Sequence, residues 1–348
     1  MKVIICSPAV PPSTRGNAKS AGRIAEALSA LGVEVELVKY ADLTPAKIAR
    51  CRDAGGLLHG FHFGVSFRML EHVRLPYVLS QTGTDLGVDL AQGNNYAKFV
   101  CAATRLIVPH ASAKQEVIRF FPEASSRVCV IPKSVSLPEQ TEALDENLLE
   151  RLRERIIIFL PAHIRPVKGI SDAVAGFSEF LGQAPPELAR RCLLVIGGQV
   201  LDRDYYDSLN LACARQVLHV ELRHEQMRGM YELADLVLNC SYIEGLSNAL
   251  LEALHLGCPV LARQIPGNTA LNELGTSPRQ ESSGRTSMVQ FFSGENGAGS
   301  LAAGLLRLLR DESLLKQLSA ASRAEFAWLG DQTREGAAYR AICEEVFF

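Results

Sequence analysis

The stretch Asn239 to Ala262, NCSYIEGLSNALLEALHLGCPVLA, holds the most suggestive spacing of reactive side chains in the sequence. A strand is expected to end at Asn239, a short loop to carry Glu244 and Gly245, and Ser247 to cap a helix that runs to Leu256. Gly257 ends that helix and Pro259 prevents its continuation. A helix starting there leaves the N–H groups of Asn248, Ala249 and Leu250 without partners, which makes an anion site. Glu244 lies just before this site and Glu252 within the first turns of the helix. Two carboxylates cannot serve the anion itself, because like charges repel. They suit hydroxyls on either side of it, a sugar on one and a ribose on the other. The spacing by itself is common and fits an ordinary helix with a capping acid and a surface glutamate at least as well.

Three further segments offer chemistry at the ends of apolar runs. In AHIRPVKG, Arg165 and Lys168 could neutralise a diphosphate, Arg as a fork and Lys as a point charge. A solvated loop pair is the plainer alternative, and His163 beside it could touch a ligand. In SPAVPPSTRGNAKSAG, Gly16 and Asn17 stand where the first helix opens, and Gly permits close backbone approach. This is not G-x-G-x-x-G, so a nicotinamide oxidoreductase is disfavoured, and a tight turn without a ligand fits equally. In QTGTDL, Asp85 is a candidate for an acceptor hydroxyl or for a plain turn. Asp202-Arg203-Asp204 has a metal-binding form but precedes a helix, where acids complement the dipole. His59 and His62 lack a third metal partner, His110 is a single loop histidine, and Ser7 has no neighbouring base for a hydrolase triad. No metal site is expected.

These residues need elements to hold them. Short apolar runs, KVIIC, EVELV, GLLHGF, YVLS, RLIV and VCVI, alternate with helical patterns in the first half. The runs at 2–6, 56–61 and 105–108 are almost entirely apolar rather than alternating, as in strands covered on both faces of a parallel sheet. Residues 132–155 read as a linker leading into a helix. Alternation restarts with IIIFL, CLLVIG, VLHVE, DLVLN and PVLA, and the last 50 residues are mainly helical. The reading is an α/β protein of two halves, 1–150 and 151–327, with a final helix over 328–348. Ligand crevices of such sheets lie at the C-terminal ends of the strands, where the segments above fall, and two facing halves would leave a cleft.

Composition narrows the partners. With 348 residues, 36 Lys+Arg and 38 Asp+Glu, the net charge is −2, which argues against nucleic acid as a partner. No apolar run approaches a membrane span, and the N-terminus is too short in apolar residues for a signal peptide. Nine cysteines, odd in number and without a CxxC, read as buried thiols of a cytoplasmic protein.

Together the motifs resemble the retaining glycosyltransferases of family 4, also called glycosyl transferases group 1. Glu244-Gly-Leu-Ser followed by Glu252 matches the family's E-x7-E motif, with Gly257-x-Pro-Val behind it. Arg165 and Lys168 resemble its basic pair. The segments GN at 16–17, TGTDL at 82–86, HIRPVK at 163–168 and ARQIPGN at 262–268 look most like the glycosyltransferase-1-domain-containing protein group, and selenosugar synthases share some of them.

The resemblance implies a GT-B fold, with two Rossmann-like domains facing across a cleft and the final helix crossing back to the first. It implies a nucleotide diphosphate sugar as donor and co-substrate, no other cofactor, an unidentified acceptor on the first domain, and retention by same-face attack. Glu244 would hold donor-sugar hydroxyls and Glu252 the ribose, while Arg165 and Lys168 stabilise the departing diphosphate. His163, Gly16, Asn17, Gly245, Leu246 and Ser247 would contact the donor, and Thr82 and Asp85 face the acceptor.

The chain departs from the family in several places. Thr82 stands where many members have His, Lys133-Ser134 replaces the customary Asn-Gly, and a polar 275–290 replaces a Gly-containing loop. Binding of a nucleotide sugar without turnover, and epimerisation of a nucleotide sugar, remain alternatives. The resemblance leaves peripheral membrane contact open, although residues 112–119 supply only Lys114 and Arg119 as basic groups.

Overall fold

The computed structural model describes residues 1–13, 15–70, 75–83, 85, 96–135, 137–138, 141–274, 287–329 and 331–347. Most of the 275–290 segment therefore lies outside the described residues. The chain divides into two compact units. The first comprises Met1–Ser136, Glu244–Leu246 and Leu329–Phe348, and the second Leu137–Ile243 and Ser247–Trp328.

The first unit holds β1 (Lys2–Ser7), β2 (Glu34–Lys39), β3 (Leu57–Phe61), β4 (Tyr77–Ser80), β5 (Arg105–Val108) and β6 (Val128–Val130), with helices α1 (Gly16–Ala30), α2 (Pro45–Asp53), α3 (Phe63–Leu70), α4 (Ala97–Ala102) and α5 (Ala111–Phe120). Its strands form one parallel sheet in the order β2-β1-β3-β4-β5-β6. The almost entirely apolar runs have a simple cause. Ile4 and Cys6 of β1 enter one core with Leu58, Leu79 and Leu106. Val3 and Ile5 enter the opposite core with Leu57, Val78 and Ile107. Successive side chains alternate faces, so a sheet covered on both faces has no polar positions to spare.

The second unit holds α6 (Glu146–Leu152), β7 (Ile156–Pro161), α7 (Ile170–Gln183), α8 (Pro186–Arg191), β8 (Cys192–Gly197), α9 (Arg203–Ser208), β9 (Val217–Val220), α10 (His224–Leu233), β10 (Leu236–Asn239), α11 (Asn248–His255), β11 (Val260–Arg263), α12 (Pro266–Leu274), β12 (Val289–Phe292) and α13 (Gly297–Leu309). Its parallel sheet runs β12-β11-β10-β7-β8-β9. Helices α7 and α13 cover one face with Phe177, Phe180, Leu301 and Leu305. The sheet order reverses between β7 and β10, the switch point where ligands enter such sheets.

The chain ends in α14 (Glu312–Leu329) and α15 (Gln332–Phe347). Tyr339, Ile342 and Cys343 of α15 pack with Ala21, Ile24 and Leu28 of α1. Arg23 and Glu335 form a buried ion pair there, at 2.7 and 3.0 Å.

Candidate active site

In the second unit, the loops after β7 and β10 meet at the switch point. The Tyr242 N–H donates to the Val167 carbonyl at 2.9 Å. Gly169, at φ +61°, lies so close to the Cys240 carbonyl that a Cβ would overlap it. Arg165 and Lys168 occupy the short 3₁₀ turn between β7 and Gly169. Arg165 is exposed and Lys168 half-buried. The His163 Nδ1 accepts the Gln199 N–H at 3.1 Å, which fixes the ring beside this turn.

Beyond β10 a chain of buried amides sets the loop that enters α11. Asn239 Oδ1 accepts from the Ser241 N–H and from Asn268 Nδ2, each at 3.1 Å. Asn239 Nδ2 in turn donates to Ser247 Oγ at 3.4 Å. Ser247 holds the N-cap position, as its place in the sequence predicts, but its hydroxyl makes no capping bond. The amide of Asn239 has taken it, so the start of α11 is not capped by that side chain.

Glu252 is buried, with 4% of its surface exposed. The Tyr231 hydroxyl lies 3.0 Å from its Oε2 and 3.1 Å from the Ala249 carbonyl. Burial, and then Glu252, push that phenol well above its ordinary pKa.

In the first unit, Gly16 and Asn17 open α1 after β1, and Arg15 at the N-cap position makes no side-chain cap. Asp85, read as a candidate for an acceptor hydroxyl or for a plain turn, is engaged with its own loop. It is wholly buried, and its oxygens accept from the N–H groups of Phe63, Thr82 and Gly83 at 2.9–3.1 Å and from Thr82 Oγ1 at 2.7 Å. A carboxylate so engaged shapes its own loop, and Thr82 is the half-buried residue of the pair. The shaped loop sets Gly83, at φ +129°, against Glu244–Leu246. A Cβ on Gly83 would lie 2.5 Å from the Gly245 nitrogen.

Two side chains that the motifs did not single out hold the same segment. His110 Nε2 lies 2.7 Å from the Gly245 carbonyl, and Lys133 Nζ donates to the Leu246 carbonyl at 3.0 Å. His110 reads in sequence as one loop histidine, and Lys133 only as a departure from Asn-Gly. That departure was the available signal.

Other polar residues find local partners. Asp202 caps α9 by accepting the Tyr205 N–H at 2.9 Å. His59 lies 2.8 Å from Ser80 Oγ, and burial pushes its imidazole down to about 3. All nine cysteines are free thiols, and Cys6, Cys51, Cys192, Cys240, Cys258 and Cys343 are buried. Among the described residues no helix is long and apolar enough to cross a membrane.

The family model described as glycosyl transferases group 1 matches residues 140–325, just over half of the chain. The chain belongs to the glycosyl transferases group 1 family. It is 25% identical over 291 residues to the glycosyltransferase 1 domain-containing protein 1 of Xenopus tropicalis, covering 74% of this chain and 77% of that protein. Anabaena HepE, solved in complex with UDP-glucose, superposes with a TM-score of 0.73 at 15% identity, over 99% of this chain and all of that one. Sucrose-phosphate synthase from Thermosynechococcus elongatus gives 0.73 at 17% identity, over 100% of this chain and 99% of that one. The fold is GT-B, built from two Rossmann-like units. The group 1 match spans α6 to α14 and so contains Arg165, Lys168, Glu244 and Glu252.

Proposed function

We propose that this group 1 glycosyltransferase moves a sugar from a nucleoside diphosphate sugar to an acceptor hydroxyl, with retention at the anomeric carbon and without a metal. The observation that carries the reading is the meeting of the β7 and β10 loops at the switch point. It sets the turn of Arg165 and Lys168 against the residues leading to Glu244. Breaking the anomeric C–O bond leaves negative charge on the diphosphate. Fixed cations and backbone N–H groups aimed there lower the barrier. Arg165 and Lys168 supply that charge, with His163, Gly245, Leu246 and Ser247 as further donor contacts and Gly16 and Asn17 as backbone approach. Glu244 takes sugar hydroxyls and Glu252 the ribose. Thr82 faces the acceptor, and Asp85 acts through it. HepE, solved with UDP-glucose, supports a donor of this class, and the reading includes residence in the cytoplasm.

A thermal-shift screen against UDP-, GDP-, ADP- and TDP-sugars should single out one donor, because binding to the folded state raises stability by mass action. With it, Glu244→Ala and Lys168→Ala should each lower turnover by about a hundredfold or more, and EDTA should leave turnover unchanged. Wild-type turnover in both variants would overturn the assignment. A second reading, donor binding without turnover, is favoured by Thr82 at a position where His is common. Calorimetric binding with neither transfer nor hydrolysis across an acceptor panel would establish it.

A further inference from the structure

The carbonyls of Gly245 and Leu246 are held by side chains that come from far away in the chain. His110 caps α5 through Nδ1, which accepts the Ala113 N–H at 3.1 Å. The ring proton therefore sits on Nε2, and His110 donates to the Gly245 carbonyl. Lys133 donates to the next carbonyl, that of Leu246. Both peptides are trans, and in a trans peptide the N–H points opposite to the C=O. Holding the two carbonyls thus turns the N–H of Leu246 and the N–H of Ser247 away from their clamps, at the entry to α11.

We propose that His110 and Lys133 are positioning residues of the donor site. By fixing the carbonyls of Gly245 and Leu246, they present the N–H groups of Leu246 and Ser247, already oriented, to the diphosphate of the donor. The inference rests on the reading of Glu244–Ser247 as the donor-binding loop. Preorganised N–H donors of this kind cost no rearrangement when charge arrives.

Lys133 does more than an amide would at its position. Its amine faces Arg23 from α1, Glu335 from α15, Asp85 from the loop after β4, and Glu244. His110 lies near it from the start of α5, its imidazole lowered chiefly by burial. Burial and Arg23 push the Lys133 amine down to about 8 against the pull of the three carboxylates. Below that value the amine is a cation that holds Leu246 and offsets Glu244. Above it the charge is gone and the bond to Leu246 weakens.

The test has a donor-free arm and a donor arm. In the ligand-free full chain, the Leu246 carbonyl ¹³C resonance should titrate with a midpoint at about 8. It should be flat from neutral to alkaline pH in Lys133→Gln and in Lys133→Arg. A Leu246 carbonyl shift at neutral pH that is the same in wild type and Lys133→Gln, or a titration that persists equally in Lys133→Gln, overturns the clamp whatever the protein's function.

In the donor arm, UDP is titrated calorimetrically. Lys133→Gln and His110→Asn should each weaken binding about tenfold, the loss of one charge-assisted or buried hydrogen bond. Asn retains the helix cap. Lys133→Arg should bind as wild type and lose the fall in affinity above pH 8. Equal affinity of wild type, Lys133→Gln and His110→Asn overturns the positioning role. If the Leu246 titration behaves as expected but none of UDP, GDP, ADP and TDP binds the wild type, the donor reading fails and takes the diphosphate with it.

Discussion

Glu252 illustrates how the surroundings of a carboxylate choose its chemistry. As a motif member it was legible from its spacing to Glu244. Tyr231, which approaches it from α10, was not, because only the fold brings two residues 21 positions apart together. The phenol is pushed up by burial and by Glu252, so it keeps its proton and can donate to the carboxylate. Tyr231→Phe should therefore cost about 1–2 kcal/mol of stability, the price of one buried hydrogen bond, and weaken nucleotide binding several-fold. Urea unfolding and UDP calorimetry check the two effects. Lost stability with unchanged affinity would make Tyr231 a packing residue alone. Asp85 is the converse case. Its residue type and loop were legible, but its bonds were not. Donors from Phe63, Thr82 and Gly83 converge on it, and the Phe63 N–H belongs to a different strand end. Local sequence cannot show such convergence.

Among the elements, the strands were the most legible. A strand buried on both faces admits only apolar residues, and β1 and β3 obey this over nearly their whole length. The final helices were equally visible as periodic patterns, but the surface that α15 covers was not written in its own sequence. That surface is α1, and the pair that marks it, Arg23 and Glu335, spans 312 positions. Burial pushes the Glu335 carboxyl up, but Arg23 and the Ser134 hydroxyl and N–H outweigh it, and the net shift is downward. A carboxyl lowered in the folded state contributes its full stabilisation above the ordinary carboxylate range, about 4.3 for Glu. That contribution is lost as pH falls through the lowered folded value. Glu335→Gln leaves Arg23 buried without its counter-charge and should cost about 3–5 kcal/mol near neutral pH. Urea melts of both proteins in increasing acid should show the gap closing, since protonation makes the wild type resemble the variant. A gap that stays constant down to acid pH would show that the ion pair does not stabilise the docked helix.

Over the whole molecule, a net charge of −2 gives no hint of the turn proposed to meet a diphosphate, because a sum over 348 residues hides two cations in one turn. What composition did expose was material for two cores, and each unit has its own sheet and its own buried side chains. Local damage should then stay local, since proteins open in cooperative units rather than uniformly. Gly169 is a sharp probe of this. Its left-handed φ and the Cys240 carbonyl against it mean that Gly169→Ala must separate the β7 loop from the β10 loop or strain both, at about 1–3 kcal/mol. Hydrogen exchange read by mass spectrometry should show faster exchange across β7–β12, with β1–β6 unchanged. Glu335→Gln should show the reverse, loosening β1–β6 and α15 and sparing β7–β12. If either variant loosened both sheets equally, the two cores would be one cooperative unit. The Gly169→Ala protein should also lose affinity for UDP at temperatures where it is folded. The turn that carries Arg165 and Lys168 is built on that glycine.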